Sequence, residues 1–455
     1  MKKLLSKWIG AAKRRVSLRI WVEPTHPMLI LLKALDWKHL LQIVEEQREK
    51  RVKNAAGRKP HTRILLGALI VRIMESCTLR KTQDLIRHYA PARLLCGLRW
   101  FNWTPNFRTL SDFEILLGPE GLARITAYVL KVARELGFAD IRGLVADTTA
   151  QEAAIPYPTE VGLMSSFAKS VQSALAQLKW KVCSTTRQIM YSIVDKMKKL
   201  VRQHRLFAKT KAAKKEIEEK LLRLSRRLSG KVATMIASVR GNLHGQKKKA
   251  CRRLTELQSV FTRLLPQIDY YVRTRKVAKN KIISLFQEPL RSIVRGKSGK
   301  KVEFGIKWGI NRIRGGYVWP FLLQGNAKGE VDYMLQAIHE HIALFGEPPE
   351  EFAYDRGGWS EPHIEAVSDL GVKRVAVAPK GRAPWKVSSR CKARMVAERA
   401  HVEGNIETLK RTGFNKPMTK TTPAMIRAGY RAATRSNSTK VMSDAKRTGQ
   451  GKRAA

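Results

Sequence analysis

Residues 350–379 read EEFAYDRGGWSEPHIEAVSDLGVKRVAVAP, and the rhythm of this stretch decides the fold class. Phe352-Ala353-Tyr354 is a short β-rich run that stops at Asp355 and is followed by Gly357 and Gly358, the punctuation expected at a strand end. Ser360 offers an N-cap and Gly371 a C-cap to the segment between them. VKRVAVAP (372–379) is then a second apolar run. Strand, helix, strand at this spacing predicts two parallel strands joined by a crossover helix. The chain therefore contains an α/β domain.

Working outward, KVEFGIKWGINRIRGGYVWPFLL (301–323) is two β-rich runs around a hairpin connection at Arg312–Gly316, and VDYMLQAIHEHIALFG (331–346) has helical periodicity. Further upstream, IRGLVADTT (141–149) reads as the first strand of the same sheet, its apolar half turning polar at Asp147. Downstream of Ala397 a last helical region follows, and the chain closes on KRTGQGKRAA (446–455); residues 436–455 are expected to form a basic flexible tail.

Before the first strand, HTRILLGALIVRIMESCTLRKTQDLIRHY (61–89) has the period of two amphipathic helices, the second opening at Thr78 as N-cap with Leu79 and Leu85 inward. A longer helical stretch follows from Pro105 to Gly137, interrupted at Gly118-Pro119. Residues 61–137 are thus expected to be a small helical domain, either a helix-turn-helix type DNA-binding module or a bundle that only packs on the rest. Residues 1–60 read as a basic N-terminal segment. Its opening, MKKLLSKWIGAAKRR, starts like a signal peptide, but Lys7, Lys13, Arg14 and Arg15 leave no apolar core. PMLILLKAL (27–35) is too short and is broken by Lys33, so no membrane span or membrane partner is expected.

The charge balance narrows the partners. With 88 Lys+Arg against 37 Asp+Glu the 455-residue chain carries +51, a field that attracts polyanions. A hydrophobic share of 44% still provides for real cores. Residues 161–300 hold 34 Lys+Arg and 7 Asp+Glu, hence +27, on stretches such as KTKAAKKEIEEKLLRLSRRL with apolar residues at helical spacing. This is expected to be a long basic helical insertion that contacts DNA phosphates rather than reading bases, the alternative being a merely solvated charged face. Cys77, Cys96, Cys183, Cys251 and Cys391 are odd in number and far apart. They suit neither a disulfide framework nor a zinc site and are expected to be reduced thiols, mostly buried, in a cytoplasmic protein.

Three carboxylates attract chemical interest. Asp147 and Asp355 each stand where an apolar strand meets polar residues, the position from which a side chain enters the crevice of an open α/β sheet; singly, each is as readily a turn or cap residue. In RAHVEGNIETLKR (399–411), Arg399, Glu403 and Lys410 lie four and seven residues apart and so share a helical stripe. An ordinary surface ion-pair ladder gives the same stripe. Glu398 and Glu407 rival Glu403. Glu152, Trp359 and Trp385 are lesser candidates, the first to assist a metal, the tryptophans to stack a flipped base or simply to pack.

HTRILLGALIVRIMESCTLR, VADTTAQEAAIPYPTEVGLM, KVEFGIKWGINRIRGGYV, YDRGGWSEPHIEAVSDLGVKRVAVAPKG and RAHVEGNIETLKRTGF together resemble the DDE transposases of bacterial insertion sequences, with the ISNCY group the nearest likeness. The resemblance spans most of the chain. Arg399, Glu403 and Lys410 fit the last three positions of that family's Tyr-Arg-Glu-Lys signature, while its Tyr position is Val396.

The resemblance implies a ribonuclease H-like mixed sheet flanked by helices (138–160 and 301–435), preceded by an all-helical DNA-binding domain and interrupted by the insertion at 161–300. It further implies that Asp147, Asp355 and Glu403 hold two Mg²⁺ ions, with Mn²⁺ as a substitute. Arg356, Arg399 and Lys410 would hold DNA phosphates. The implied activity is metal-dependent cutting at the element's terminal inverted repeats and strand transfer into target DNA, the cut-and-paste type of transposition, by a homodimer or higher oligomer assembled on DNA at the bacterial nucleoid. The alternatives are a related nuclease without strand transfer, a non-catalytic DNA-binding or repressor derivative, and a ribosome-associated basic protein.

Overall fold

The computed structural model describes residues 22–52, 61–99, 103–178, 181–239, 243–294, 302–323, 329–381 and 384–448; the signal-like opening falls outside them. The chain divides into two compact units, one holding residues up to Gln151 with Lys307–Thr419 and Pro423 onward, the other Glu152–Ile306 with Lys420–Thr422.

The first unit begins with helices α1 (Pro27–Ala34), α2 (Trp37–Arg51), α3 (Thr62–Glu75), α4 (Leu79–His88), α5 (Ala90–Leu95) and α6 (Phe107–Glu135). The Thr78 side chain accepts from the Lys81 N–H, as an N-cap should. The long α6 is kinked where Gly118 takes φ 63°. Of the segment 1–60, the described residues 22–52 are more than a basic stretch: Leu31, Leu40, Ile43 and Val44 are buried, and α2 lies along α6. Their apolar spacing is helical, but the surrounding Lys and Arg mask it in composition.

A mixed sheet follows. Strand β1 (Asp140–Glu152) is flanked by β3 (Val302–Arg314) and β5 (Glu351–Tyr354), with β6 (Arg374–Val377) beyond β5. Strands β1, β5 and β6 are parallel, with Val145 opposite Ala353 and Ala353 opposite Ala376. Strand β4 (Tyr317–Leu322) pairs antiparallel with Trp308–Ile313 of β3. Gly315 and Gly316 turn this hairpin with φ 102° and 90°, which only glycine adopts without strain. Helices α11 (Glu330–Phe345), α12 (Glu361–Ser368), α13 (Ser389–Leu409) and α14 (Thr422–Arg447) complete the unit. Ser360 caps α12, but that helix ends at Asp369, and Gly371, with φ 92°, lies two residues past the cap. Helix α13 starts well before Ala397, its N-cap Ser388 accepting from the Cys391 N–H.

The expected flexible tail at 436–455 is corrected over its described part, because α14 runs to Arg447 and buries Asn437, Ser438, Val441, Met442 and Asp444; residues 449–455 lie outside the described residues. Among the described residues strand β4 pairs only with β3, and Asn437 bonds to its other edge: the Asn437 amide accepts from the Val318 N–H at 2.9 Å and donates to the Val318 carbonyl at 2.8 Å. The Tyr317 hydroxyl donates to Asp444 at 2.8 Å. This segment reads as solvated because polar side chains, Asn437, Ser438 and Asp444, share its buried face with Val441, Met442 and Ala445.

The second unit contains α7 (Glu160–Gln177), α8 (Ser184–Leu206), α9 (Lys211–Val239) and α10 (Gly245–Thr274), packed as a bundle. One apolar core joins all of them, with Phe167 stacked on Phe261 at 3.7 Å between centroids. Strand β2 (Arg291–Val294) pairs antiparallel with the opening residues of β3. None of the described helices is long and apolar enough to cross a membrane. The cysteines are free thiols; Cys96, Cys251 and Cys391 are buried, Cys77 partly so and Cys183 exposed.

Candidate active site

The sequence-predicted carboxylates lie on β1, just past β5 and on α13. Cys391, Met395 and Val402 of α13 pack on Val145 of β1, Ala353 of β5 and Ala376 of β6. Side chains two residues apart on a strand share a face. Asp147 therefore lies on the face covered by α13, two residues beyond Val145. Asp355 stands two residues beyond Ala353, the register partner of Val145. The pairing of β1 with β5 runs as far as Val145 and Ala353, so Asp147 lies two residues beyond it within β1 and Asp355 just past the end of β5, at the start of the 3₁₀ turn. Glu403 follows Val402, the residue that seats α13 on these strands.

Each aspartate accepts a hydrogen bond from the next backbone N–H: Thr148 to Asp147 at 2.6 Å, Arg356 to Asp355 at 2.7 Å. Asp147 is half-buried within β1. Asp355 is exposed at the start of a 3₁₀ turn, Arg356–Gly358, and Arg399 Nη2 lies 2.5 Å from its Oδ1. Glu403 is exposed. Among the described residues, no group of three or more His, Cys, Asp and Glu side chains is gathered closely enough to hold a metal ion; Asp355 faces a guanidinium instead.

The rivals to Glu403 have other attachments. Glu398 forms a close ion pair with the buried Arg312 of β3, whose Nε also donates to Asn405 Oδ1 at 3.0 Å. This network ties α13 to the hairpin, and sequence alone gives no sign of it, since its members lie 86 and 93 residues apart. Glu407 is exposed and 3.9 Å from Arg411, just past the end of α13. Lys410 is the C-cap of α13, Arg356 is exposed beside Asp355, and Val396, at the signature's tyrosine position, is 50% exposed.

The remaining expectations sort themselves by contact. Trp385 packs against the α13 core and under Lys392. Trp359 is half-buried after the 3₁₀ turn, and Glu152 is half-buried at the end of β1. A Cβ on Gly358 would come within 2.5 Å of Met334 Sδ, so the close approach at this glycine is to α11. Gln151 takes an architectural role: buried, it accepts from Trp308 Nε1 at 3.0 Å and donates to the Met425 carbonyl at 2.9 Å.

Below the strand ends, Glu351 anchors the sheet. Burial pushes its carboxyl up, but Arg394 and Arg314 more than offset this and hold it below the usual carboxylate range. Arg374 also reaches it, at 2.9 Å. Asp140, at the start of β1, is lowered to about 2, chiefly by its hydrogen bonds with Arg142.

No curated protein and no solved structure matches the chain. Residues 16–115, about a fifth of the chain, match the family described as Transposase domain (DUF772). The matched region covers α1 to α5 and the start of α6, upstream of every candidate carboxylate. It supports a place for this chain among the transposases.

Proposed function

We propose that this protein is a DDE-type transposase whose catalytic domain is ribonuclease H-like and whose metal ligands are Asp147, Asp355 and Glu403. The observation that supports this reading is that Asp147 and Asp355 each stand two residues beyond Val145 and Ala353, paired residues of neighbouring parallel strands that pack with helix α13, which bears Glu403. The transposase-domain match at 16–115 and the charge of +51 support DNA as substrate. A mixed sheet with β1 at its centre supports the fold assignment.

Carboxylate oxygens are the donors that Mg²⁺ and Mn²⁺ prefer, and Asp355 already accepts a cationic neighbour. When bound, two such ions would activate a water or a 3′-hydroxyl and stabilise the leaving oxygen. The protein's own contribution is positional. Strands β1 and β5 fix the two aspartates, while Val402 and Ile406 of α13 hold the helix against them. Arg399, Lys410 and Arg356 offer positive charge to the phosphates of the strand being cut. Arg399 is paired with Asp355, so its guanidinium must exchange partners as DNA and metal arrive.

The Asp355–Arg399 pair also favours a second reading, a DNA-binding derivative that no longer cuts. Incubating the protein with DNA bearing the element's ends and Mg²⁺ separates the possibilities. Joined products support the transposase, cut but unjoined products a nuclease, and binding alone the derivative.

A further inference from the structure

Helices α8 and α9 pack against each other in the second unit. A groove of about 450 Å³ along them is lined by Lys196, Lys199, Lys220 and Arg223, with Leu200 and Leu224 as its floor. The sequence builds it simply. Lys196 and Lys199 are three residues apart on α8, as are Lys220 and Arg223 on α9, so each pair occupies one helical face. Both leucines pack inward on the bundle core.

No carboxylate lines this groove. Only Lys220 has an acidic partner, Glu216, at 2.5 Å on its own helix. Among the described residues Lys196, Lys199 and Arg223 have no ion-pair partner; nearby Asp195 pairs with Lys198 and Asp269 with Arg226, and the exposed Glu219 lies one turn before Arg223 on α9. Like charges gathered on two adjoining helices oppose folding unless an anion lies between them.

We infer that this groove seats the sugar-phosphate backbone of duplex DNA. A single small anion would need its cations converging on one point. Here Lys196 with Lys199 and Lys220 with Arg223 are each offset by about 4.5 Å of helix rise, an extended set of cations suited to a polyanion carrying successive phosphates. The surrounding segment, residues 161–300, carries +27, which draws the duplex in. Contact of this kind is independent of sequence and holds the DNA without reading it. The inference rests on the proposed function for its choice of polyanion, but it concerns a different part of the chain.

The test uses the full-length protein and a random-sequence duplex, with affinity measured across a salt series. A variant combining Lys196→Gln, Lys199→Gln, Lys220→Gln and Arg223→Gln is compared with wild type. A control removes equal charge from α10 through Lys247→Gln, Lys248→Gln, Lys249→Gln and Arg253→Gln. All these side chains are exposed or nearly so, and circular dichroism checks that both variants keep their helices.

The groove variant is expected to lower the slope of log affinity against log salt by about 3 to 4, at ~0.9 per phosphate contact, and the control by clearly less. Equal losses in the two variants, or an unchanged slope in the groove variant, overturn the inference. So does a groove variant that binds DNA normally but no longer binds phosphatidylserine vesicles, which reassigns the groove to lipid. If wild type binds DNA through the groove yet never cuts it, the proposed function fails while the groove assignment stands.

Discussion

Arg399 Nη2 lies 2.5 Å from Asp355 Oδ1, joining helix α13 to the end of β5 across 44 residues of sequence. Both side chains are more than a third exposed, so the pair itself adds little to stability. Its consequence is electrostatic, because a cation beside Asp355 opposes the approach of a second one. Removing a unit charge at about 4 Å in water is worth roughly 1 kcal/mol, or about fivefold in affinity. Arg399→Gln is therefore expected to bind Mn²⁺ several-fold more tightly in a spin-resonance titration while losing DNA cleavage. Unchanged or weaker Mn²⁺ binding would show that Arg399 does not compete for this carboxylate.

Glu398 and Glu403 sit on the same helix and are expected to fail differently. Glu398→Ala strands the buried Arg312 guanidinium, a loss of about 3–5 kcal/mol. Glu403→Ala removes an exposed side chain and is expected to alter stability by less than about 0.5 kcal/mol while abolishing activity. Urea denaturation of both variants beside a cleavage assay checks this. A stable but inactive Glu398→Ala would move the third ligand to that residue.

The sheet edge depends on Asn437. Replacing it with Leu orphans the Val318 N–H and carbonyl, at about 1–3 kcal/mol for each group. The denaturation midpoint is expected to fall accordingly, and truncation before residue 436 to be worse. A truncated chain as stable as wild type would mean that α14 is dispensable, as a flexible tail is.

Acid sensitivity is expected from His341, which burial lowers to about 4 from its ordinary 6.5. The folded protein refuses a proton that the unfolded chain accepts between those values, so stability is complete above pH 6.5 and is lost as pH falls toward 4. The linkage amounts to about 3 kcal/mol. His341→Gln is expected to flatten the stability profile in this window. Parallel profiles for wild type and variant would show that the imidazole takes up its proton without penalty.

Much of this was legible in the sequence because local chemistry announces itself. Thr78 and Ser360 cap the helices they precede, the Gly315-Gly316 turn closes its hairpin, and the strand–helix–strand stretch at 350–379 predicted the parallel pair. The position of Asp355 just past a strand was likewise visible, whereas the strand bearing Asp147 runs on to Glu152. Contacts across long sequence separations were not legible. Arg312 with Glu398 and Asn405, Gln151 with Trp308, and Asn437 with Val318 are polar pairs made by tertiary packing, and no period or spacing signals them. The second half of α14 passed for a tail because Asn437, Ser438 and Asp444 interrupt the few apolar residues it buries.

The central claim is that Asp147, Asp355 and Glu403 act together on DNA. The most direct measurement is Mg²⁺- and Mn²⁺-dependent cleavage and strand transfer on DNA carrying the element's ends, with wild type beside Asp147→Ala, Asp355→Ala and Glu403→Ala. The account predicts that wild type cuts and joins, and that each variant binds DNA as tightly but does neither. An active Glu403→Ala beside an inactive Glu407→Ala would contradict the placement of the third ligand, and a wild type that binds without cutting under either ion would contradict the account as a whole.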